Sequence, residues 1–273
     1  MNIGVFDSGF GGIDILRHIV KKLPQYNYIY LGDNARTPYG SRSKATLYKY
    51  TTEAVDFLFA HNCPLIIIAC NTASAEALPK IQRVHLPKYH PHGKILGVVV
   101  PAVETAAAIT AHKRVGVIAT EGSVASGAFV REFRKINSEI KVFQEACPLL
   151  VPIVESGEND KKILQRALRN YLKPLVEEKI DTLILGCTHY SILEEDIRTA
   201  LKYLRGNGIH IVNEGDIVAD KLETYLKKHP EITKILKTQS KRVFYTTDVT
   251  DRFRRLGSIF FGNAIKPRKA HLS

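Results

Sequence analysis

The sequence has few cysteines and no long apolar run, and each shortage excludes a class of protein. Only four cysteines occur among 273 residues, and none forms a Cys-x-x-Cys pair. Neither a disulfide framework nor a zinc site is therefore expected. No apolar run is long enough to cross a membrane. The chain enters a predicted strand almost at once, so we expect no secretory signal. These features predict a cytoplasmic protein with reduced thiols, no metal and no membrane contact.

Phosphate-binding glycine loops are also missing. The loop Ser8–Gly12 has glycines at positions 9, 11 and 12, which matches neither G-x-G-x-x-G nor a Walker loop. The backbone amides of such a loop suit a small carboxylate instead. A second loop, Thr37–Gly40, is either a plain turn or a source of backbone amides and a tyrosine hydroxyl for a substrate.

The chain carries a formal charge of +12, from 39 basic and 27 acidic side chains. Such an excess can favour nucleic acid. Here the basic residues are dispersed, with no helix-turn-helix pattern and no interleaving of basic and aromatic residues. We therefore interpret the charge as a lysine-rich solvated surface, and expect DNA affinity to be weak and steeply dependent on salt.

The sequence does contain two look-alike segments, each with a cysteine at the same place. Residues 63–74 read CPLIIIACNTAS, and residues 180–191 read IDTLILGCTHYS. In both, a short aliphatic run typical of a buried parallel strand ends at a cysteine that precedes a small polar residue. The C-terminal edge of an open α/β sheet is where ligands bind. Two thiols that face one substrate from opposite sides, Cys70 and Cys187, suit a two-base proton transfer.

The rest of the chain supports an internal duplication. Residues 2–8 resemble residues 114–120, and the repeat is about 115 residues long, which is the size of a domain. Strands alternate with helices, which favours parallel sheets. We predict an α/β protein of two similar, doubly wound, pseudo-symmetric lobes with an active site in the cleft between them. The first lobe is discontinuous (1–99 and 210–273), and the second covers 100–209.

Four local predictions accompany this architecture. Residues 43–60 form a helix that leads to the Cys70 strand, and residues 72–81 start another helix that is interrupted near Pro79. Residues 94–100 form a strand. The tail 266–273 is expected to be a frayed basic terminus.

The four thiols have different contexts. Taken alone, Cys70 reads as a buried small hydrophobe, but its equivalence with Cys187 favours catalysis. A helix that begins after Cys70 is expected to lower the pKa of its thiol from about 8.5 toward neutrality. Cys63 and Cys147 have no comparable neighbours and are interpreted as core or loop thiols.

Two polar residues are candidate partners of the paired thiols. His189 follows Cys187 by two residues and is either a satisfied histidine or a proton relay. Asp7 ends the first predicted strand, and it either caps the following turn or assists Cys70.

Together these segments resemble the glutamate racemases, within the cofactor-independent aspartate/glutamate racemase family. The matching motifs run in family order over nearly the whole chain: Asp7–Gly12, Asp33–Gly40, Ala69–Ser74, Gly116–Thr120, Ala146–Gly157, Leu185–Tyr190, Phe244–Val249 and Phe260–Gly262. Aspartate racemases usually carry a different residue after C-N-T-A and an acid after G-C-T. Ser74 and His189 therefore point to glutamate.

The resemblance implies an isomerase that interconverts L- and D-glutamate without a cofactor or metal, and that supplies D-glutamate for peptidoglycan synthesis and cell shape. It implies Cys70 and Cys187 as the acid/base pair, assisted by Asp7, Glu155 and His189. The implied substrate-binding residues are Asp7, Ser8, Pro38, Tyr39, Gly40, Asn71, Thr72, Thr188 and His189. A homodimer is also implied, and the family leaves room for a weak association with DNA gyrase.

Other interpretations stay open at this point. The chain also fits an aspartate racemase, or a superfamily decarboxylase that works with one cysteine. From another class, it fits a non-enzymatic two-lobed amino-acid-binding protein that is indifferent to thiol alkylation. Two departures from the family are noted. Ser191 replaces a frequent proline and is expected to soften the loop after Cys187. Phe129 replaces a common aromatic hydroxyl and is expected to remove a polar contact.

Overall fold

The computed structural model describes residues 1–156 and 161–272. The chain divides into two compact units, one of Met1–Val98 with Gly215–Ser273 and one of Val99–Glu214. Each unit contains its own parallel β-sheet. Among the described residues, no helix combines the length and apolar character that a membrane crossing requires.

The strands in chain order are β1 (Ile3–Asp7), β2 (Tyr28–Gly32), β3 (Leu65–Ile68), β4 (Lys94–Gly97), β5 (Arg114–Ala119), β6 (Lys141–Ala146), β7 (Thr182–Gly186), β8 (His210–Val212), β9 (Arg242–Thr246) and β10 (Pro267–Lys269). The α-helices are α1 (Gly12–Lys22), α2 (Lys44–Ala60), α3 (Asn71–Glu76), α4 (Leu78–Lys80), α5 (Leu86–Tyr89), α6 (Val99–Ile109), α7 (Glu121–Ser126), α8 (Ala128–Ile136), α9 (Leu150–Ser156), α10 (Lys161–Glu177), α11 (Glu194–Tyr203), α12 (Glu214–Lys228), α13 (Pro230–Thr233) and α14 (Asp251–Phe261). A π-helical turn (Ile81–His85) precedes α5, and a 3-10 helix (Thr188–Leu193) precedes α11.

The sheet of the first unit has the order β10-β9-β2-β1-β3-β4, with every pair parallel. All residues of β1, β2 and β3 are buried, as expected for central strands of a parallel sheet with both faces covered. In β1, Phe6 lies opposite Leu31 on one side and Ile68 on the other. The three central strands therefore end side by side, and the residues that follow them share one sheet edge.

The sheet of the second unit has the order β6-β5-β7-β8, again with every pair parallel. Four leucines recur along α10 at helical spacing and are buried: Leu164, Leu168, Leu172 and Leu175. They pack in the hydrophobic core that also includes Leu183 and Leu185 of β7.

The two units share a strand order. The sequence β2-β1-β3-β4 in the first sheet is repeated as β6-β5-β7-β8 in the second. This repetition confirms the predicted fold class of two similar α/β lobes with parallel sheets. It also makes β3 and β7 equivalent strands, and these are the strands that end next to Cys70 and Cys187.

The helix predicted over residues 43–60 is confirmed. Ser43 is the N-cap of α2, and its side chain accepts a hydrogen bond from the backbone amide of Thr46. The next helical region is longer than predicted, since α4, the π-helical turn and α5 continue to Tyr89. The predicted interruption near Pro79 is confirmed: α3 ends at Glu76 and α4 begins at Leu78, and Pro79 lies in the first turn of α4, where a proline removes no intrahelical hydrogen bond.

Two predictions for element ends are wrong. Strand β4 stops at Gly97, and residues 99 and 100 already belong to α6, which accommodates Pro101 in its first turn. The C-terminal tail is not frayed from Pro267 to Ala270: β10 pairs with β9, and the Ala270 amide donates to the Thr246 carbonyl at 2.8 Å. Ser273, the last residue of the predicted tail, lies outside the described residues. The tail is ordered by its pairing with β9, which lies about twenty residues earlier in the chain. Pro267 is tolerated because β10 is an edge strand of the sheet.

Candidate active-site residues

Asp7 and Cys70 lie at the C-terminal ends of the neighbouring strands β1 and β3, as predicted. Cys70 occupies the N-cap position of α3. Its Sγ donates to Ser8 Oγ at 3.4 Å, and the Asp7 carboxylate accepts the Gly9 amide at 2.9 Å. The structure therefore brings three predicted residues of the first unit together: the thiol, the carboxylate and the serine hydroxyl.

The expected lowering of the Cys70 pKa is wrong. Burial, followed by the negative charge of Asp7, raises the pKa of Cys70 to about 12. Hydrogen bonds involving Ser8 and the Ala73 amide act in the opposite direction but do not offset burial. The cysteine does precede a helix, but its side chain is only 5 % exposed, and desolvation disfavours the thiolate.

This pKa predicts low reactivity of Cys70 toward iodoacetamide in the free protein. At a pKa of about 12 the thiolate fraction at pH 7 is about 10⁻⁵. Peptide mass spectrometry after timed exposure should show Cys70 modified far more slowly than N-acetylcysteine in the same tube. The rate should rise roughly tenfold per pH unit. Alkylation of Cys70 as fast as the free thiol at pH 7 would contradict this assignment.

The glycine at the start of α1 allows this helix to approach the site closely. A Cβ atom on Gly12 would lie 2.6 Å from Asp7 Cβ and 3.0 Å from Ala69 Cβ. No side chain fits at this distance, so Gly12 is required where α1 meets the ends of β1 and β3. The close partner of this glycine is the protein's own strand edge.

The loop after β2 contains a buried polar network around Asp33 that was not predicted from the sequence. Asp33 follows β2 and is fully buried. Its Oδ2 accepts hydrogen bonds from the Tyr39 hydroxyl at 2.6 Å and from Arg36 Nε at 2.7 Å, and its Oδ1 accepts from Thr247 at 2.8 Å. Burial raises the pKa of Asp33, while the bonds from Tyr39, Thr247 and Arg36 oppose this shift. The position directly after a central strand was the available signal for Asp33.

The network changes the expected role of Tyr39. Its ring is buried and its hydroxyl proton is donated to Asp33, so this proton is not offered to a substrate in the structure. Pro38 is exposed and Gly40 is partly buried. Asn71 and Thr72 are buried in the first turn of α3, directly after Cys70.

In the second unit, Cys187 has a histidine and a carboxylate in series. His189 Nδ1 lies 3.9 Å from Cys187 Sγ, and His189 Nε2 lies 3.2 Å from Glu155 Oε1. Cys187 and His189 are buried at 8 % and 3 % exposure. Thr188, between them, is buried too. The structure thus joins three of the four predicted residues of the second unit in a chain from thiol to imidazole to carboxylate. Gly157, which ends the Glu155 motif, lies outside the described residues.

The two departures from the family pattern, Ser191 and Phe129, have local explanations. Ser191 donates to the Thr188 carbonyl at 3.1 Å, so its hydroxyl is used within the 3-10 helix that follows Cys187. Phe129 is fully buried, and its ring tip would lie 3.0 Å from a Cβ on Gly186. The ring therefore packs against the end of β7 at a position where a hydroxyl would need its own buried partner.

The other two thiols are core residues, as predicted. Cys63 and Cys147 are fully buried, and burial raises the pKa of both, that of Cys63 to about 12. Each donates weakly to a backbone carbonyl, of His61 and Glu145 respectively. Among the described residues, neither thiol has an imidazole and a carboxylate in series like those beside Cys187.

Comparisons with known proteins identify the family. The family model described as Asp/Glu/Hydantoin racemase matches residues 3–221. The glutamate racemase of Geobacter metallireducens is 38 % identical over 96 % of this chain and 93 % of its own. The crystal structure of a Bacillus anthracis glutamate racemase isoform matches with a TM-score of 0.88 at 32 % identity, covering 99 % of this chain and 97 % of that one.

A further solved structure is that of a glutamate racemase from Francisella tularensis in complex with D-glutamate. It matches with a TM-score of 0.88 at 31 % identity and covers 99 % of this chain and 97 % of that chain. These matches confirm the resemblance to glutamate racemases. The chain belongs to the Asp/Glu/Hydantoin racemase family.

Proposed function

We propose that this protein interconverts L- and D-glutamate without a cofactor, with Cys70 and Cys187 as the two proton-transferring groups. One observation carries the proposal: each cysteine follows the equivalent strand of its own sheet and has an acid/base neighbour. The neighbour is Asp7 in the first unit, and His189 with Glu155 in the second. The relatives named glutamate racemase support the substrate.

The two thiols have different chemical surroundings. Cys70 is a neutral thiol because burial and Asp7 raise its pKa to about 12, so it is in the form that donates a proton. Cys187 has a route by which to lose its proton, since the imidazole of His189 can accept it and Glu155 can stabilise the resulting cation. This asymmetry suits the conversion of L- to D-glutamate.

In this direction Cys187 removes the α-proton of L-glutamate, and Cys70 delivers a proton to the opposite face. The assignment of faces follows the resemblance to the family. The two thiols exchange roles in the reverse direction, and Asp7 is then the base positioned to accept the Cys70 proton. Both sulfurs must reach the same α-carbon for this chemistry, because a single base would act on one face only.

The α-proton of an amino acid is weakly acidic, so negative charge on the α-carboxylate must be stabilised as the proton leaves. Buried hydrogen-bonding groups next to the thiols suit this role. Those in the first unit are Ser8, Asn71 and Thr72, and those in the second are Thr188 and His189. The predicted substrate contacts of Asp7, Pro38, Tyr39 and Gly40 belong to the same proposal.

D-glutamate made in this way would serve peptidoglycan synthesis, and the substrate and its consumers would place the enzyme in the cytoplasm. An aspartate racemase is the second candidate, because the family model covers both acids. Ser74 and His189 favour glutamate, and Ser74 has a structural role as well: its hydroxyl donates to the Ile68 carbonyl at 2.8 Å at the end of β3.

Circular dichroism of L-glutamate incubated with the purified protein and no added cofactor tests the proposal. The signal should decay to zero as the racemic mixture forms. The decay should be equally fast with a chelator or with hydroxylamine present, because the proposed proton-transferring thiols need neither a metal nor an aldehyde cofactor. L-aspartate in a parallel cuvette is the matched control. Decay of the aspartate signal alone would favour the second candidate. Binding of glutamate without decay would favour a binding protein, and loss of activity to a chelator with recovery on adding metal would contradict the cofactor-free mechanism.

A further inference from the structure

A second group of chemically active side chains lies in the first unit, outside the residues described above. Asp56 is on α2, His85 ends the π-helical turn, and His90 follows α5. The Nε2 atoms of both histidines lie 2.7 Å from the same carboxylate oxygen, Asp56 Oδ1. One ligand atom from each of the three residues falls within 4.8 Å of the other two.

Packing holds both imidazoles in place. His85 is 8 % exposed, and its ring lies 4.6 Å from that of Tyr89. The His90 ring stacks on Phe59 with centroids 4.1 Å apart and an interplanar angle of 20°. These contacts fix the ring orientations, so the convergence of the two Nε2 atoms does not depend on Asp56 alone.

The backbone explains why two histidines five residues apart converge. In a continuous α-helix they would lie about 140° apart around the axis. Here the helix ends at Tyr89, and His90 leaves it with φ −139° and ψ 58°. His85 is the last residue of the π-helical turn, and such turns occur frequently at functional sites.

We propose that Asp56, His85 and His90 form a binding site for a divalent transition-metal ion of the Zn²⁺ type. Two imidazole nitrogens and one carboxylate oxygen are a ligand set that Zn²⁺ accepts, with water completing the tetrahedron. For tetrahedral Zn²⁺ the ligand atoms lie about 3.3 Å apart, so the two 2.7 Å contacts would lengthen and the two Nε2 atoms, which lie within 4.8 Å of each other, would take the same spacing. Both histidines direct Nε2 toward the same carboxylate oxygen, Asp56 Oδ1, which would share the ion.

The site is accessible from solvent. The Asp56 side chain is 42 % exposed and that of His90 is 23 % exposed. A depression of about 700 Å³, lined by the three ligands with Tyr48, Val84 and Lys88 among others, opens beside them. The Lys88 ammonium lies over the Tyr89 ring at 4.8 Å. Its positive charge is expected to weaken metal binding without blocking a ligand atom.

A metal at this site would connect α2 to the chain after α5, and would raise the free energy of unfolding by RT ln(1 + c/Kd), where c is the concentration of free Zn²⁺. The test uses tag-free protein with Zn²⁺ alone as the probe, measured by equilibrium dialysis and by thermal unfolding. Wild type should bind one Zn²⁺ more than His90→Ala and Asp56→Asn, and only wild type should gain thermal stability from it. Loss of one ligand should lower the zinc affinity by more than about 100-fold, since mutating a residue that only hydrogen-bonds to a metal ligand already lowers the affinity by up to about that factor.

His92→Ala is the matched control, because His92 is an exposed histidine two residues beyond His90 and outside the cluster. It should behave as wild type. Zinc held by the cysteines would persist in all of these variants, so it cancels in the difference. Far-ultraviolet circular dichroism verifies that His90→Ala stays folded without its stacking contact on Phe59. Equal zinc binding by wild type, His90→Ala and folded Asp56→Asn would overturn the proposal.

Discussion

Cys70→Ala and Cys187→Ala are each expected to reduce glutamate racemisation by at least about 10³-fold, the scale of a lost general acid or base. Each substitution removes the group that serves one face of the α-carbon, and the remaining thiol serves only the other face. The loss should be seen in both directions, because the thiol that removes the α-proton in one direction donates a proton in the reverse direction. Racemisation of either enantiomer, followed by circular dichroism, measures the effect.

Cys63→Ala is the matched control, since Cys63 is another buried thiol with a pKa raised to about 12, and its sulfur donates to the backbone carbonyl of His61. All three variants lose one sulfur from a packed interior and should show a modest fall in melting temperature. Only the first two should lose activity. Full activity of either Cys70→Ala or Cys187→Ala would exclude the two-thiol mechanism, whereas inactive Cys63→Ala would show that activity merely follows packing.

L-glutamate converted in heavy water is expected to give D-glutamate that carries deuterium at the α-carbon from the first turnovers. The thiol of Cys70 exchanges with solvent before the substrate arrives, so it delivers a deuteron. The remaining L-glutamate should gain little label early, because Cys187 still holds the proton that it removed. Mass spectrometry of the separated enantiomers at low conversion makes the measurement.

A one-base enzyme would often return the abstracted proton, so unlabelled D-glutamate as the main early product would exclude two separate thiols. The reverse reaction provides an internal control: starting from D-glutamate, label should enter the L product first. Comparable early labelling of substrate and product in both directions would require that the abstracting thiol exchange quickly during the lifetime of the intermediate.

The sequence alone was sufficient for features that depend on local pattern. A four-residue aliphatic strand such as Leu65–Ile68 is recognisable because burial on both faces demands continuous apolar residues. The helix from Lys44 to Ala60 is marked by its Ser43 cap. The duplicated cysteine segments identified the equivalent strands β3 and β7, and the ordered motifs identified the family.

Features that depend on residues distant in the chain were decided by the tertiary structure. The pKa of Cys70 is set by burial and by Asp7, 63 positions earlier, so a rule based on the following helix had the wrong sign. The tail became an ordered strand because β9 offered it an edge.

The convergence of side chains was likewise visible only in three dimensions. Asp33 gathers Tyr39 and Arg36 from its own loop, but also Thr247 from the C-terminal segment. Asp56 meets two histidines whose spacing fits no regular helix face. Helix and strand propensity and hydrophobic periodicity depend on neighbouring residues, so the sequence determines them directly. Burial, charge proximity and ligand geometry arise only when the folded chain brings separate segments together.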